Sequence, residues 1–134
     1  MLISEEICAR LCEIDPGNAE LYTANLRAFT AELRELDAEL HRVIDNAPHR
    51  TLIFADRFPM RYFTREYGLD YFAAFPGCSS ESEASAKTVA FLIDRVREEG
   101  LSAVLYMEFS NAKLANVICE DTGCSKLPFY SVHN

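Results

Sequence analysis

The chain has 134 residues, the size of one domain or of one lobe of a larger protein, and hydrophobic residues make up 49% of it. This composition is typical of a globular protein and excludes an intrinsically disordered chain. The formal net charge of −8 argues against nucleic acid as a partner, because phosphate contacts need clustered Lys and Arg. An acidic surface of this kind is compatible with attracting cations and equally with a plain solvated surface.

Two helices are predicted at the amino end. Ser4 is a candidate cap for the first helix, which ends near the turn signal of residues 15–18. A long helix follows over about 19–46, and its apolar side chains form one stripe. This stripe is explained by packing against a sheet or against the first helix, by a spine between two lobes, or by a coiled-coil dimer. The stripe consists of Leu26, Phe29, Leu33, Leu36, Leu40 and Val43.

Strands alternate with helices through the rest of the chain. Such alternation is typical of a parallel sheet with right-handed crossovers. The predicted fold class is therefore α/β, with a four-stranded, mainly parallel sheet, helices on both faces and a long helix before it. Residues 1–48 form the predicted helical domain and residues 49–134 the α/β domain. The predicted strands are 51–54, 71–75, 103–107 and 127–132. The predicted helices are 58–67, a helix that is capped by Ser82 or Ser85 and runs to Glu99, and 111–122.

Side chains that can bind a divalent cation follow the predicted strands. Ligands gather at the carboxyl ends of the strands in such sheets, and oxygen and nitrogen donors suit a divalent metal. Purely structural roles also explain these residues: Asp56 as a helix cap, Glu108 as a partner of Arg57, and His133 as a surface residue. The candidates are Asp56, Glu81, Glu83, Glu108 and His133.

Five cysteines are present but no CxxC pair occurs, so neither a zinc ribbon nor a thioredoxin-type motif is predicted. Cys8 and Cys12 would share one face of a helix, where packing explains them better than metal binding. Cys119 and Cys124 flank a helix end and are candidates for a disulfide in an exported protein.

A catalytic function rests on Cys78 alone, as a nucleophile with His133 as its base. Neither a nucleophile elbow nor a glycine-rich phosphate loop occurs in the sequence, so an enzyme is not predicted. No apolar run of about 20 residues and no targeting signal is recognisable.

Three segments resemble the C-terminal lobe of the zinc and manganese substrate-binding proteins of ABC importers, the metal-binding lipoprotein and adhesin type. The first runs from Phe54-Ala55-Asp56-Arg57 through the Tyr62-Phe63 pair to Tyr67-Gly68-Leu69. The other two are residues 71–85 and 103–123. Residues 14–20, which open the long helix, are similar to the start of the family's rigid interlobe helix.

The resemblance implies a two-lobed protein of the cell surface or periplasm that holds zinc or manganese between its lobes. Such a protein delivers the metal to an ABC permease in the membrane and catalyses no reaction. The C-terminal lobe supplies one ligand after its first strand and one after its last. Carried over to this chain, these positions fall at Asp56 and His133, with Glu108 as a residue that orients a ligand.

The same resemblance implies that an N-terminal lobe, a leader and a final helix lie outside the sequence. We therefore expect a partial protein, truncated at its end, that binds metal weakly or not at all. The hard oxygen ligands of Asp56 favour manganese, whereas half of the metal site would lie in the other lobe. The alternative is a freestanding α/β interaction or regulatory domain that forms a homodimer through the long helix.

Overall fold

The computed structural model describes residues 1–58, 60–75 and 84–130. The chain divides into two compact units, Met1–Ala47 and Pro48–Asn134. Within the described ranges, no helix combines the length and the apolar character that crossing a membrane requires.

The first unit is a pair of helices joined by a tight turn. Helix α1 spans Leu2–Ile14, a 3₁₀ turn spans Pro16–Asn18, and helix α2 spans Ala19–Asp45. The expected Ser4 cap is wrong, because α1 begins two residues earlier and Met1 occupies the cap position without a side-chain bond. Ser4 instead lies within the first turn of the helix.

Asp15 organises the turn between α1 and α2. Its carboxylate accepts hydrogen bonds from the Asn18 side-chain amide at 2.7 Å and from the Tyr22 hydroxyl at 2.8 Å. Together these two bonds hold the pKa of Asp15 below its ordinary value. The Pro-Gly-Asn signal thus forms a turn that is tied to α2 through a polar side chain.

The apolar stripe of α2 is only partly covered. Phe29 is 49% exposed, Leu36 53% and Val43 55%, whereas the intervening Leu26, Leu33 and Leu40 are half-buried. The three exposed positions recur at a spacing of seven residues, which places them on one side of the helix.

The second unit is an α/β fold, as predicted. Its strands lie in the order β2-β1-β3-β4, and every pair of neighbours is parallel. Because parallel neighbours are joined by right-handed crossovers, the helix between β1 and β2 lies on the face opposite to the other two helices. The elements are β1 (Thr51–Arg57), α3 (Arg61–Glu66), β2 (Asp70–Phe75), α4 (Ala86–Glu98), β3 (Ala103–Met107), α5 (Lys113–Thr122) and β4 (Ser125–Phe129).

Several element ends differ from the expectation, and β1 matters most for function. It continues through Arg57, because Arg57 still pairs with Phe75 of β2. Helix α5 begins at Lys113 and not at residue 111, since Ala112 before it adopts a left-handed conformation with φ of 53°. Strand β4 begins at Ser125 and ends at Phe129, so the expected range of 127–132 is wrong at both ends.

One face of the sheet packs against α4 and α5. Leu92 of α4, Val104 of β3 and Ala115 and Ile118 of α5 are fully buried in this core, together with Ile53 of β1. Burial of a large aliphatic side chain contributes about 1.5–3 kcal/mol. Ser85 caps α4 by accepting a hydrogen bond from the Thr88 amide at 3.1 Å, which agrees with one of the two predicted caps.

Aromatic side chains cover the other face of β1. Phe54 is fully buried, and its ring lies edge-on to Phe58 at 5.0 Å and to Phe129 at 5.2 Å between centroids. The Phe58 ring in turn stacks on Tyr71 at 3.7 Å. These contacts tie β2 and β4, the two outer strands, to the central strand β1.

Candidate functional site

The carboxyl ends of β1 and β3 form the switch point of the sheet. From β1 the chain crosses to β2 on one side, and from β3 it crosses to β4 on the other side. In open parallel sheets the connecting helices diverge at such a point, and ligands usually bind in the crevice beyond the strand ends.

A bulge in β1 places Asp56 near the switch point of the sheet. Phe54 pairs with Ala73 of β2, but Arg57 pairs with Phe75, so β1 carries one more residue than β2 over this stretch. Bulges of this kind locally interrupt the alternation of side chains and redirect one of them. Asp56 lies within the bulge and is only 8% exposed, so the expected role as a helix cap is wrong. The residue that precedes α3 at its cap position is Met60.

Two backbone amides bind the Asp56 carboxylate. The Arg57 N–H donates to Oδ1 at 2.7 Å, and the Met107 N–H donates to Oδ2 at 3.4 Å. A carboxylate has about four acceptor positions, so lone pairs remain on both oxygens. Among the described residues, no salt bridge to Asp56 is seen. Buried carboxylates are normally paired with a cation or bound to a metal.

Glu108 lies next to Met107 at the end of β3 and is half-buried. Its backbone N–H donates to the Phe129 carbonyl at 3.2 Å, and the Ser110 N–H donates to the Met107 carbonyl at 2.9 Å. The first bond holds the end of β3 against the end of β4, and the second closes a turn within the loop that carries Glu108.

The structure brings two of the three predicted site residues to one edge of the sheet. Asp56 contacts Met107, and Glu108 is the next residue along the chain. His133, the third, lies outside the described residues, as do Cys78, Glu81 and Glu83. Within the described ranges, no group of three or more His, Cys, Asp or Glu side chains is arranged to hold a metal.

The role of the Met107 amide and the bulge in β1 were not predicted from the sequence. Neither leaves a signal in the residue types, because both arise from how two strands pair.

Cys8 and Cys12, the other candidate pair, are half-buried on α1, and the Cys12 thiol lies 3.8 Å from the Ala19 carbonyl. Burial is the main reason why the pKa of Cys8 is raised, and it agrees with packing as the role of this pair.

The whole chain matches one protein family. Residues 1–134 fit the family model described as ZnuA, zinc-uptake complex component A, periplasmic. The manganese-binding lipoprotein MntA of Halalkalibacterium halodurans is 30% identical over 115 residues, which are 84% of this chain and 38% of that protein.

Solved structures share the fold. A crystal structure of ZnuA superimposes with a TM-score of 0.78 at 32% identity, over 91% of this chain and 46% of that chain. The laminin-binding protein Lbp of Streptococcus pyogenes superimposes with a TM-score of 0.75 over 92% of this chain and 46% of that one. At 23% identity this second match shows the fold alone. The chain spans less than half the length of these relatives.

Proposed function

Because this chain belongs to the family of zinc-uptake complex component A, we propose that it forms part of the extracytoplasmic solute-binding protein of an ABC importer, with zinc or manganese as cargo. In this proposal the Pro48–Asn134 unit is the C-terminal lobe, and α2 is the helix that connects it to a second lobe. The protein delivers its metal to a permease in the membrane and catalyses no reaction.

The names of the relatives support a transition-metal cargo. The MntA lipoprotein is named as manganese-binding, and a deletion mutant of ZnuA at 32% identity carries bound zinc. Both ions accept carboxylate and imidazole ligands, so both are compatible with Asp56 and His133.

The buried carboxylate of Asp56 is the observation that carries the proposal. It lies at the switch point of the sheet with lone pairs on both oxygens, and the described residues supply two N–H donors but no cationic side chain. A divalent cation would supply the missing charge. We assign Asp56 and His133 as ligands and Glu108 as a residue that orients a ligand or a metal-bound water.

Metal binding to this chain is best tested by a method that detects weak sites. We would titrate ¹⁵N-labelled protein with Mn²⁺, a paramagnetic ion that broadens nearby amide signals. The signals of Arg57, Met107 and Glu108 should broaden first, because these amides lie at or next to the Asp56 carboxylate. Zn²⁺ should compete with Mn²⁺ and restore the signals, whereas excess Mg²⁺ should not, since it prefers a shell of water and carboxylates.

The Asp56→Ala variant should lose this broadening, and His133→Ala should weaken it. The matched control is Asp70→Ala, because Asp70 is an exposed carboxylate at the opposite, amino-terminal end of β2. First broadening at Asp70 or over the acidic surface as a whole would contradict the proposal. A sub-micromolar site that survives both Asp56→Ala and His133→Ala would also overturn the ligand assignment.

One observation favours a second candidate function. Phe29, Leu36 and Val43 are about half exposed on one side of α2, so a homodimer through this helix is the alternative. Light scattering would reveal such a dimer, and Leu36→Glu should dissociate it. A monomer at all accessible concentrations would remove this alternative.

A further inference from the structure

Two cysteines close the turn between α5 and β4. Cys119 lies in the last turns of α5, and Cys124 immediately precedes β4. Their sulfur atoms are 3.2 Å apart, and both thiols are free and half-buried. A disulfide bond has a length of about 2.05 Å, so the sulfurs would have to approach by little more than about 1 Å.

Backbone bonds hold the two thiols in this position. Gly123 has a φ of 76° and ends α5, and its N–H donates to the Cys119 carbonyl at 2.8 Å. The Cys124 N–H donates to the Thr122 hydroxyl at 3.4 Å, and that hydroxyl donates to the Ile118 carbonyl at 2.8 Å. The left-handed glycine thus reverses the chain and directs Cys124 back towards the helix.

The turn joins a firmly packed element to a loosely packed one. Helix α5 is anchored by Ala115 and Ile118, both of which are fully buried. In contrast, the first four residues of β4 are exposed, and Leu127 is 50% exposed. Beyond its pairing with β3, this outer strand is held by the ring contact of Phe129 with Phe54 and by a hydrogen bond from the Lys126 ammonium to the Asn116 side chain of α5. A covalent link at its amino end would therefore restrain the least buried strand of the sheet.

We propose that Cys119 and Cys124 are an oxidation site at which a disulfide bond forms and fastens β4 to α5. The oxidant is a small-molecule or protein disulfide, which oxidising compartments outside the cytoplasm supply. The location of the protein outside the cytoplasm rests on the proposed function, whereas the ability of the two thiols to form a disulfide does not.

The reaction balances as a thiol–disulfide exchange. One cysteine loses its proton, and its thiolate attacks the oxidant disulfide, which forms a mixed disulfide and releases one thiol. The second cysteine then loses its proton and displaces the remaining half of the oxidant as a second thiol. The pair loses two electrons and two protons, and the oxidant takes up both.

Cys8 and Cys12 provide an internal comparison. They lie four residues apart within α1, where Cβ atoms are about 5–6 Å apart, but a disulfide requires about 3.5–4.5 Å. An intact helix therefore prevents a bond between them. Although the thiols are close together in both pairs, oxidation should link Cys119 to Cys124 and should not link Cys8 to Cys12.

We would incubate the purified chain with oxidised glutathione under native conditions, alkylate the remaining thiols and map the peptides by mass spectrometry. A link between Cys119 and Cys124 should be the main product. It should raise the Tm by about 5 °C or more, because even a short cross-linked loop lowers the conformational entropy of the unfolded chain, and a reductant should reverse the shift. Cys119→Ser and Cys124→Ser should abolish the shift, whereas the double variant Cys8→Ser and Cys12→Ser should retain it.

Stable glutathione adducts on both Cys119 and Cys124 without a link between them would overturn the proposal. A preferred link to Cys8, Cys12 or Cys78 would do the same, and so would a link without a change in Tm. If the serine variants do not fold, the peptide map and the Tm of the oxidised natural sequence decide the question. None of these measurements involves metal, so failure of the proposed metal site would leave them unaffected.

Discussion

The Asp56 carboxylate joins β1 to β3, because its Oδ2 accepts a hydrogen bond from the backbone N–H of Met107 at 3.4 Å. The contact spans the switch point of the sheet and fixes a buried negative charge where the two strands end. It also links structure and proposed function, since the atoms that hold the strand ends together are those that would bind the metal.

Substitutions of Asp56 should separate these two roles. Asp56→Ala leaves the Arg57 and Met107 amides without an acceptor and should lower the free energy of unfolding by about 1–3 kcal/mol. Asp56→Asn keeps one acceptor oxygen and should be less destabilising, but it removes the charge and should still abolish Mn²⁺ broadening. Urea unfolding measures the first effect. Asp70→Ala, at the exposed opposite edge, should stay within about 0.5 kcal/mol of the natural sequence. Equal stability of all three variants would argue against a structural role for Asp56.

Gly123→Ala should destabilise the α/β unit through backbone strain. Gly123 has a φ of 76°, and an added Cβ would meet no atom within 4 Å, so the cost is conformational and should be about 1–2 kcal/mol. The same variant should slow formation of the link between Cys119 and Cys124. Gly17→Ala is the control, since its Cβ would make only an ordinary contact of 3.6 Å with Asp15. Thermal unfolding measures the Tm of both variants. Equal Tm values would contradict backbone strain as the cost of Gly123→Ala.

Cys119 should react slowly with alkylating reagents. Burial raises the pKa of this thiol from its ordinary 9.0 to about 11, and the hydrogen bond to Cys124 and the charge of that residue add to the effect, while Lys126 opposes it. The thiolate fraction at neutral pH falls about 100-fold, but a more basic thiolate is a better nucleophile, so the net rate should fall about 10-fold. The alkylation rate should keep rising beyond pH 9 and not level off there. Peptide mapping across a pH series provides the measurement, and a plateau below about pH 9 would contradict it.

Tyr22→Phe should destabilise the helix pair near neutral pH but not in acid. The Asn18 amide and, next to it in effect, the Tyr22 hydroxyl hold the pKa of Asp15 below its ordinary 3.8. A lowered folded-state pKa stabilises the fold above the unfolded-state value, and the effect is lost as pH falls through the folded-state pKa. The Tm difference from the natural sequence should therefore shrink below about pH 4. Tyr62→Phe is the control, since Tyr62 is 87% exposed. A Tm difference that does not change with pH would contradict the prediction, because it would show that the contribution of Tyr22 to stability does not depend on the ionisation of Asp15.

The order and type of the elements were predictable because they depend on local signals. The strand Ala103–Met107 was predicted with its observed ends, since an apolar run lies between Gly100 and a loop. Ends that depend on partners were missed. Arg57 belongs to β1 only because it pairs with Phe75 of β2. No residue pattern within β1 predicts that pairing.

For Asp56 and Glu108 the sequence predicted the edge of the sheet at which they lie, but not their contacts. Asp56 and Glu108 were identified because they follow strands, and parallel strands deliver their carboxyl ends to one edge. That Asp56 is buried, and that it accepts the Met107 amide, follows from the bulge and from the adjacency of β1 and β3. Likewise, the sequence indicates that Cys119 and Cys124 flank a helix end, but the 3.2 Å between their sulfurs depends on the conformation of Gly123.

The sequence by itself determined the alternation of strands and helices, the α/β class and, through motifs such as Phe54–Arg57 and Tyr67–Leu69, the family. Tertiary structure alone decided the strand order β2-β1-β3-β4, the switch point between β1 and β3 and the partners of Asp56. The physical reason is the range of the interactions. Propensity, capping and turn chemistry act over a few residues, whereas strand pairing joins residues such as Phe54 and Leu105, which are 51 positions apart.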